Sequence, residues 1–334
     1  MKLNYRDRNI EVFSLVPRAA RSEQFWPNVL EVTRLSDEYR CSGVLIFNGN
    51  EIVVEPWFIA QTMAAHSREL MPLVAVNPVY MHPFSVARMV SSLSLAYRRR
   101  VFLNLITGTS LSHLQALGDD IEHDRRYERL LEFTQIVTAL LGGYPLDFDG
   151  QFYKTKGLQL LPALAEDMRP QYLLAGQSSA AVEVAEKMGA VNIQMLGPRL
   201  ESQLGSAQAI HFGLIAREDE QRAWYAAQQR FPEDKVGQFV LSESMHNTDS
   251  QWKRRLQLAA TQQSSALPGF WMLPFRNMQA DCPYFVGSHE RAAALVAALV
   301  RAGIHTFVLD IPLDEQEFNH TARVFRRASG MLVD

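Results

Sequence analysis

Short apolar runs alternate with longer amphipathic stretches along most of this chain. The apolar runs are almost continuous and have the length of strands, as is typical of parallel strands that are buried on both faces. Helical periodicity fills most of the intervals between them. The pattern predicts eight strands, at residues 10–17, 43–49, 73–78, 101–108, 171–176, 191–196, 210–216 and 306–312.

Eight strand-helix units is the number that closes a (β/α)8 barrel, so we predict an α/β protein with the TIM-barrel fold. A doubly wound open sheet is the competing architecture. That fold usually carries a glycine-rich turn after its first strand, whereas the first predicted strand here ends in Val16-Pro17-Arg18-Ala19. The pattern therefore favours the barrel.

Helix-end signals support the predicted units. Ser22 begins the stretch 22–40, Pro83 lies in the first turn of 83–97, and Gly142-Gly143 ends 123–141. Serine and proline are favoured where helices begin and glycine where they end. These three stretches are predicted to be helices.

Two segments interrupt the alternation. Residues 147–162 alternate apolar and polar positions around Asp149-Gly150, which predicts a hairpin inserted after the fourth helix. Residues 217–305 are far longer than one crossover helix requires, and insertions of that size tend to form lids or substrate walls. We expect residues 1–334 to form a single barrel domain that carries both insertions.

Composition and charge argue against several classes of protein. The chain of 334 residues has a formal net charge of -3, and 47% of its residues are hydrophobic. Without long basic runs these values argue against a nucleic-acid partner, and no apolar segment reaches the length of a membrane span. Residues 1–9 are polar, unlike a signal peptide, and Cys41 and Cys282 are too few for a disulfide framework. We expect a cytoplasmic protein with two buried thiols.

In a TIM barrel, function collects at the carboxyl ends of the strands. The residues predicted there are mostly neutral amides and hydroxyls: Asn48-Gly49, Asn77-Pro78, Asn104 with Thr107-Gly108, Gly176-Gln177-Ser178-Ser179, His211 and Asp310. They offer no carboxylate pair for glycosidase chemistry, no spacing typical of metal ligands and no nucleophile elbow. Neutral hydrogen-bonding groups suit a planar heterocyclic cofactor that supplies its own chemistry, with Asn77 and Gly176 among its candidate contacts.

The fifth predicted strand is followed by a candidate phosphate site. Ser178, Ser179 and the first free N–H groups of a helix over 180–189 face outward together, although a serine there also fits an ordinary helix cap. His123 and Tyr127 have i, i+4 spacing near the start of the fourth helix, so both can reach one ligand or simply pack on the surface.

The same residues resemble the flavin-dependent luciferase-like monooxygenases, in particular their alkanesulfonate monooxygenase branch. The resemblance covers about residues 42–192, with weaker echoes to 312. Its motifs are Gly43-Val-Leu-Ile-x-x-Gly49, Pro83-x-x-x-Ala-Arg-Met89, Asn104-Leu-Ile-Thr-Gly108, His123-x-x-x-Tyr127-Glu128 and Gly176-x-Ser-Ser-x-Ala181.

The resemblance implies that the cofactor is reduced FMN. Asn104 and Thr107 would contact its isoalloxazine ring, His123 and Tyr127 its ribityl-phosphate side, and Ser178-Ser179 its phosphate. A separate NAD(P)H-dependent flavin reductase would deliver it, and one atom of O2 would be transferred to a small-molecule substrate. We also expect a homo-oligomer, either a dimer or a tetramer.

The substrate half departs from the family pattern. The Cys that follows the second strand of alkanesulfonate enzymes is replaced within the segment 50–54, and their Arg and His on the seventh strand fall on His211 and Gly213. Their Tyr after the eighth strand corresponds to Ile311-Pro312 in this sequence. An Arg of their long insertion is kept as Arg276. A sulfonate needs cationic donors, so the substrate is expected to be a different small molecule, such as a specialised metabolite or biosynthetic intermediate.

His211, Arg276 and His82 are the candidates for substrate or proton handling. Each also has a structural interpretation. His211 fits a core histidine, Arg276 fits a surface ion-pair residue, and His82 fits a loop residue before proline. Three other functions stay open: an alkanesulfonate monooxygenase that releases sulfite, a deazaflavin-dependent oxidoreductase, and a non-catalytic barrel that binds a flavin or another ligand.

Overall fold

A computed structural model of the chain describes residues 1–6, 8–17, 22–200, 207–261 and 267–333. Its strands are β1 (Leu3–Tyr5), β2 (Arg8–Leu15), β3 (Gly43–Ile46), β4 (Met71–Val76), β5 (Phe102–Leu105), β6 (Leu146–Asp149), β7 (Lys154–Leu158), β8 (Gln171–Ala175), β9 (Val191–Met195), β10 (Ala209–Arg217), β11 (Phe270–Trp271), β12 (Tyr284–Ser288) and β13 (Thr306–Asp310).

The described helices are α1 (Ser22–Glu38), α2 (Pro56–Ala65), α3 (Pro83–Tyr97), α4 (Leu111–Ala116), α5 (His123–Leu141), α6 (Ser179–Met188), α7 (Glu220–Arg230), α8 (Lys235–Ser244), α9 (Gln251–Thr261), α10 (Leu273–Arg276), α11 (His289–Arg301) and α12 (Glu315–Leu332). The predicted bounds of α3 and α5 are confirmed. Predicted helix 22–40 ends at Glu38, and Arg40 adopts a left-handed conformation with φ 57°. Helical periodicity also predicts a helix near residues 250–263, within the long insertion. It corresponds to α9, and its last two predicted positions lie outside the described residues.

Eight strands close a parallel barrel in the order β2-β3-β4-β5-β8-β9-β10-β13, because β13 pairs with both β10 and β2. Strand β1 adds antiparallel to β2, while β12 pairs with the second half of β10 and β11 pairs with β12. All eight predicted strands are present, so the (β/α)8 prediction is confirmed and the doubly wound alternative is wrong.

Most barrel strands end earlier than the apolar runs that predicted them. The run 101–108 contributes only Phe102–Leu105 to the ladder, and 43–49 contributes only Gly43–Ile46. The polar residues at the ends of these runs leave the ladder and enter the following loops. Strand β10 is instead longer than predicted, because β12 pairs with its residues 213–217.

The chain divides into two compact units. The terminal unit comprises Met1–Val44 and Ile193–Asp334, and the central unit comprises Leu45–Asn192. The central unit holds the hairpin of β6 and β7, in which Lys154 and Asp149 form an exposed ion pair at 2.8 Å. The terminal unit holds α7 to α11, which lie within the predicted long insertion. The description of residues 1–334 as a single domain stays a prediction.

Each unit has its own apolar core. In the central unit Val74, Leu103 and Leu173 lie on neighbouring strands and are buried, and in the terminal unit the buried ring of Phe307 meets Phe212 and Phe325 edge-on. Both cysteines are buried thiols outside any disulfide, as predicted. Over the residues that the structure describes, no helix has the length and apolar character needed to cross a membrane. The cytoplasmic location and the oligomeric state stay predictions.

Candidate functional site

Asn104 is a buried amide in the middle of the sheet of the central unit. It lies in register between Ala75 of β4 and Leu173 of β8, two apolar neighbours, and is 7% exposed. Its Oδ1 atom has no hydrogen-bond partner among the described residues. A buried acceptor left without a donor costs about 1–3 kcal/mol. The orphaned oxygen therefore marks a place where a ligand N–H group would be stabilised.

The loops after β4 and β5 meet beside this strand. Gly108 has φ 85°, a conformation that favours glycine, and a Cβ atom there would lie 2.9 Å from Leu114 Cδ2 and 3.3 Å from Asn77 Nδ2. The Asn77 Oδ1 atom accepts a hydrogen bond from the Val79 N–H at 3.2 Å. Thr107 and Asn77 are both buried. The structure thus brings Asn77 and the Thr107-Gly108 turn together, as the strand order predicted.

The loop after β8 meets the first turns of α5. A Cβ atom on Gly176 would lie 2.8 Å from the Tyr127 hydroxyl and 2.6 Å from Ala181 Cβ, so only glycine allows this close approach. The ring of His123 contacts Tyr127 edge-on, with the ring centroids 5.3 Å apart. The carbonyl of Gly176 accepts a hydrogen bond from Asn192 Nδ2 at 2.9 Å. His123, Tyr127 and the Gly176 loop therefore form one group.

The two serines of this loop have different environments. Ser178 is buried and caps α6, because its Oγ atom accepts the Ala181 N–H at 3.2 Å. Ser179 is the first residue of α6 and is exposed. The positive end of the helix dipole and its free N–H groups lie at the same place. Ser178 therefore has the capping role that the sequence left open. The hydroxyl of Ser179 does not cap the helix.

A buried ion pair holds the start of α5, and the sequence analysis missed it. Arg129, two residues beyond Tyr127, donates Nη1–H and Nη2–H to the two carboxylate oxygens of Asp119 at 2.9 and 2.8 Å. Both side chains are almost inaccessible. The Asp119 N–H also donates to the Leu114 carbonyl at 2.9 Å. The pair thereby ties α5 to the end of α4 and orients the residues that carry His123 and Tyr127.

His82 is an exposed helix cap. Its Nδ1 atom accepts the Phe84 N–H at 3.2 Å at the start of α3, which requires the neutral ring to carry its proton on Nε2. The ring also meets Tyr153 edge-on, with centroids 5.9 Å apart. Burial raises the pKa of Tyr153 to about 12, so this phenol stays protonated at neutral pH. A catalytic role for His82 stays a prediction.

The other two candidates for proton or substrate handling lie in the terminal unit. His211 is buried on β10, where its Nδ1 atom lies 2.8 Å from the Val308 carbonyl of β13. Because a carbonyl only accepts, Nδ1 carries the proton and Nε2 is the basic nitrogen of the neutral ring. Arg276 ends α10 and is exposed, while Phe275 beside it packs into a small core with Met272. The structure places these two candidates in separate elements.

Tyr284 occupies the space beside Gly213. The two residues lie in register on β12 and β10, and a Cβ atom on Gly213 would come within 2.2 Å of the Tyr284 ring. Burial, and then the negative charge of Asp310, raise the pKa of Tyr284 well above its ordinary value. An interior strand glycine is the sequence signal for such a close approach. Where the resemblance expects a catalytic histidine, this chain therefore has a packed tyrosine ring.

The Gly213→Ala substitution is expected to lower the free energy of unfolding by about 1–3 kcal/mol, because the buried Tyr284 ring must shift. Urea unfolding followed by circular dichroism measures the change. Gly330→Ala is the matched control, since a Cβ atom there meets nothing within 4 Å and alanine favours the helix. Equal stability of Gly213→Ala and the parent chain would show that the ring is not held as described.

Comparisons with known proteins identify the family of this chain. The family model for the luciferase-like monooxygenases matches residues 13–306. A relative from Niallia circulans, 4-(gamma-L-glutamylamino)butanoyl-[BtrI acyl-carrier protein] monooxygenase BtrO, is 30% identical over 313 residues, covering 90% of this chain and 91% of the relative. These findings do not support the finer placement in the alkanesulfonate branch.

Solved structures at low sequence identity share the fold. DmoA from Hyphomicrobium sulfonivorans has a TM-score of 0.74 at 15% identity, covering 94% of this chain and 86% of that chain. The oxygenating constituent of 3,6-diketocamphane monooxygenase from Pseudomonas putida, solved with FMN, has a TM-score of 0.67 at 14% identity, with coverages of 95% and 96%. With the family model matching most of its length, this chain is an enzyme that belongs to the luciferase-like monooxygenase family.

Proposed function

We propose that this protein is the oxygenase component of a two-component monooxygenase that uses reduced FMN. A separate NAD(P)H-dependent flavin reductase supplies the cofactor, and one atom of O2 enters a small organic substrate. The observation that carries the proposal is the buried Asn104 Oδ1 without a partner in the described residues, in a barrel of this family. Reduced flavin bears N–H groups on its ring, which an orphaned acceptor would bind.

The residues of the central unit suit the rest of the cofactor. Thr107 and Asn77 lie in the two loops beside β5 and offer polar groups to the ring. The Tyr127 hydroxyl, the Gly176 backbone and the first turn of α6 offer donors to a phosphate, as helix N-termini do. Bound reduced flavin would supply the electrons and the oxygen-reactive ring, while the buried surroundings of Asn104 would keep water away.

We further propose that the substrate is a biosynthetic intermediate held as an acyl thioester on a carrier protein. The Niallia circulans relative is named for an acyl group on an acyl-carrier protein, and the two chains match over nine tenths of their lengths. A sulfonate would need paired cationic donors, but at the relevant strand this chain has His211, whose Nδ1–H donates to a backbone carbonyl, and Gly213, which has no side chain. Arg276 is then the candidate contact for a single anionic group.

The proposal is tested by turnover with FMN, a flavin reductase and NADH under O2. The same acyl groups are offered as free acids and as carrier-protein thioesters, and products are analysed by mass spectrometry for the gain of one oxygen atom. We expect that gain on the thioesters. Gain on the free acids alone would contradict the tethered substrate while leaving the oxygenase assignment in place.

Two further arms of the experiment separate the alternatives. Sulfite release from alkanesulfonates of increasing chain length would contradict the divergence of the substrate half and support His211 with Arg276 as an anion site. Solved structures of the same fold include coenzyme F420-dependent enzymes. Hydride transfer with reduced F420, in place of oxygen insertion with reduced FMN, would contradict the proposed cofactor.

Ser179→Ala is expected to weaken FMN binding about tenfold, since one neutral hydrogen bond to an anion is worth roughly 1.5 kcal/mol. Riboflavin, which lacks the phosphate, should bind Ser179→Ala and the parent chain equally. Ser178→Ala removes the helix cap as well and should cost about 1 kcal/mol of stability, whereas the exposed Ser179→Ala should leave stability unchanged. Fluorescence titration under anaerobic conditions measures the affinities for FMN and riboflavin. Unchanged FMN affinity in the double variant Ser178→Ala with Ser179→Ala would contradict the phosphate assignment.

A further inference from the structure

Three potential metal ligands from distant parts of the sequence meet in the terminal unit. Glu218 directly follows β10, His289 is the first residue of α11, and His320 lies in α12. Their nearest ligand atoms, one from each side chain, all lie within 4.8 Å of one another. His289 Nε2 and His320 Nδ1 are 2.9 Å apart, and the two rings stack with centroids 5.0 Å apart.

We propose that Glu218, His289 and His320 bind a zinc ion. With Zn–N bonds of about 2.0–2.1 Å, tetrahedral ligand atoms lie roughly 3.3 Å apart. The two imidazole nitrogens need to separate by only a few tenths of an ångström to reach that distance. The Glu218 side chain is half exposed and can rotate toward them. A water molecule would complete the tetrahedron, as at other zinc sites with three protein ligands.

The surroundings of both histidines favour the neutral ring, which is the form that binds a metal ion. Burial, and then the neighbouring His320, lower the pKa of His289 to about 4. Burial, and then Arg217, lower the pKa of His320. For zinc to bind both facing nitrogens, the ring that donates the hydrogen bond between them would move its proton to its other ring nitrogen, so both rings would stay neutral.

Nearby arginines lower the expected affinity for zinc but do not block the three ligands. Arg222 and Arg323 lie 3.9 and 3.8 Å from the Glu218 carboxylate, but both are exposed and such contacts are weak. Arg217 is occupied by a bidentate pair with the buried Glu317. Because two cations compete for the one carboxylate ligand, we expect micromolar rather than nanomolar binding.

The ligand chemistry selects the class of metal. Two imidazoles and one carboxylate suit Zn²⁺ and its neighbours in the first transition row, whereas Mg²⁺ and Ca²⁺ prefer oxygen ligands alone. The ion would join the end of β10 to α11 and α12. It would therefore stabilise the terminal unit, because a ligand that binds only the folded chain raises its melting temperature.

The test uses the full chain without a histidine tag or flavin, after treatment with a chelator. Isothermal titration with Zn²⁺ should show one ion bound per chain, and Co²⁺ should give the absorption bands of a tetrahedral site. His320→Ala should weaken binding at least about 100-fold and Glu218→Gln at least about tenfold, because removing a ligand costs no less than removing a group that only orients one. His246→Ala, which removes an exposed histidine of the same unit, is the control and should bind as the parent chain does.

Glu218→Gln keeps the experiment decisive if His320→Ala fails to fold, because the exposed Glu218 side chain contributes little to packing. Absence of Zn²⁺ binding by the parent chain would overturn the proposal. Undiminished binding by both Glu218→Gln and His320→Ala would also overturn it, since the ion would then occupy another place.

Discussion

Replacing Asp119 by alanine is expected to lower the free energy of unfolding by about 3–5 kcal/mol, the effect of leaving one charge of a buried pair uncompensated. Arg129 would keep its buried guanidinium but lose both hydrogen bonds to the carboxylate. The first turns of α5 would lose their tie to α4, so FMN affinity should fall as His123 and Tyr127 lose their fixed position. Urea unfolding and anaerobic flavin titration measure the two effects.

Glu290→Ala is the matched control for this prediction. It breaks the exposed pair between Glu290 and Arg327, with the two charged atoms 3.0 Å apart, and exposed pairs contribute at most about 1 kcal/mol. The double substitution Asp119→Leu with Arg129→Met removes both charges and should recover much of the lost stability. A single Asp119→Ala variant as stable as the Glu290→Ala variant would contradict the structural role of the buried pair.

The second large effect is expected from Asn104→Ala, which should lower the yield of oxygenated product per NADH consumed at least tenfold, as loss of a preorganised hydrogen-bonding group does. The missing product should appear as hydrogen peroxide. Stability should stay unchanged or rise, because the substitution removes a buried acceptor that has no partner in the described residues. Product analysis, peroxide assay and urea unfolding on the same preparation test all three statements.

Asn48→Ala separates a functional amide from a structural one. The Asn48 Nδ2 atom donates to the Ala75 carbonyl at 3.2 Å, so its removal should cost about 1 kcal/mol of stability. Asn104→Ala should show the opposite pattern, with stability kept and coupling lost. If Asn104→Ala unfolds and Asn48→Ala does not, Asn104 is a structural residue and the proposed cofactor contact is wrong.

The barrel could be predicted from the sequence because its signals are local. A strand buried on both faces is a continuous apolar run, and a covering helix repeats its apolar positions within one or two turns. The bounds of α3 and α5 were predicted because Pro83 and Gly142-Gly143 act within their own turns of the chain. Strand ends were less accurate, because a strand stops where its partner stops, as Phe102–Leu105 shows.

The candidate cofactor-binding residues of the central unit could also be predicted from the sequence. Parallel strands place their carboxyl ends at one edge of the sheet, so Asn77, Asn104 and the Gly176 loop could be grouped from strand order alone. Their detailed roles were not. Whether Ser178 caps a helix depends on its own rotamer, and whether Asn104 lacks a partner depends on neighbours from two other strands.

Tertiary structure alone decided the contacts between residues that are far apart in the chain. Tyr284 fills the space beside Gly213, Asp119 pairs with Arg129, and Glu218 meets His289 and His320. No spacing or periodicity marks such groups, since packing brings them together only after strands and helices have taken their places in three dimensions. The sequence by itself thus determined the barrel and the likeness of its cofactor half to the family, while packing decided which side chains are paired, which are orphaned and which potential metal ligands meet.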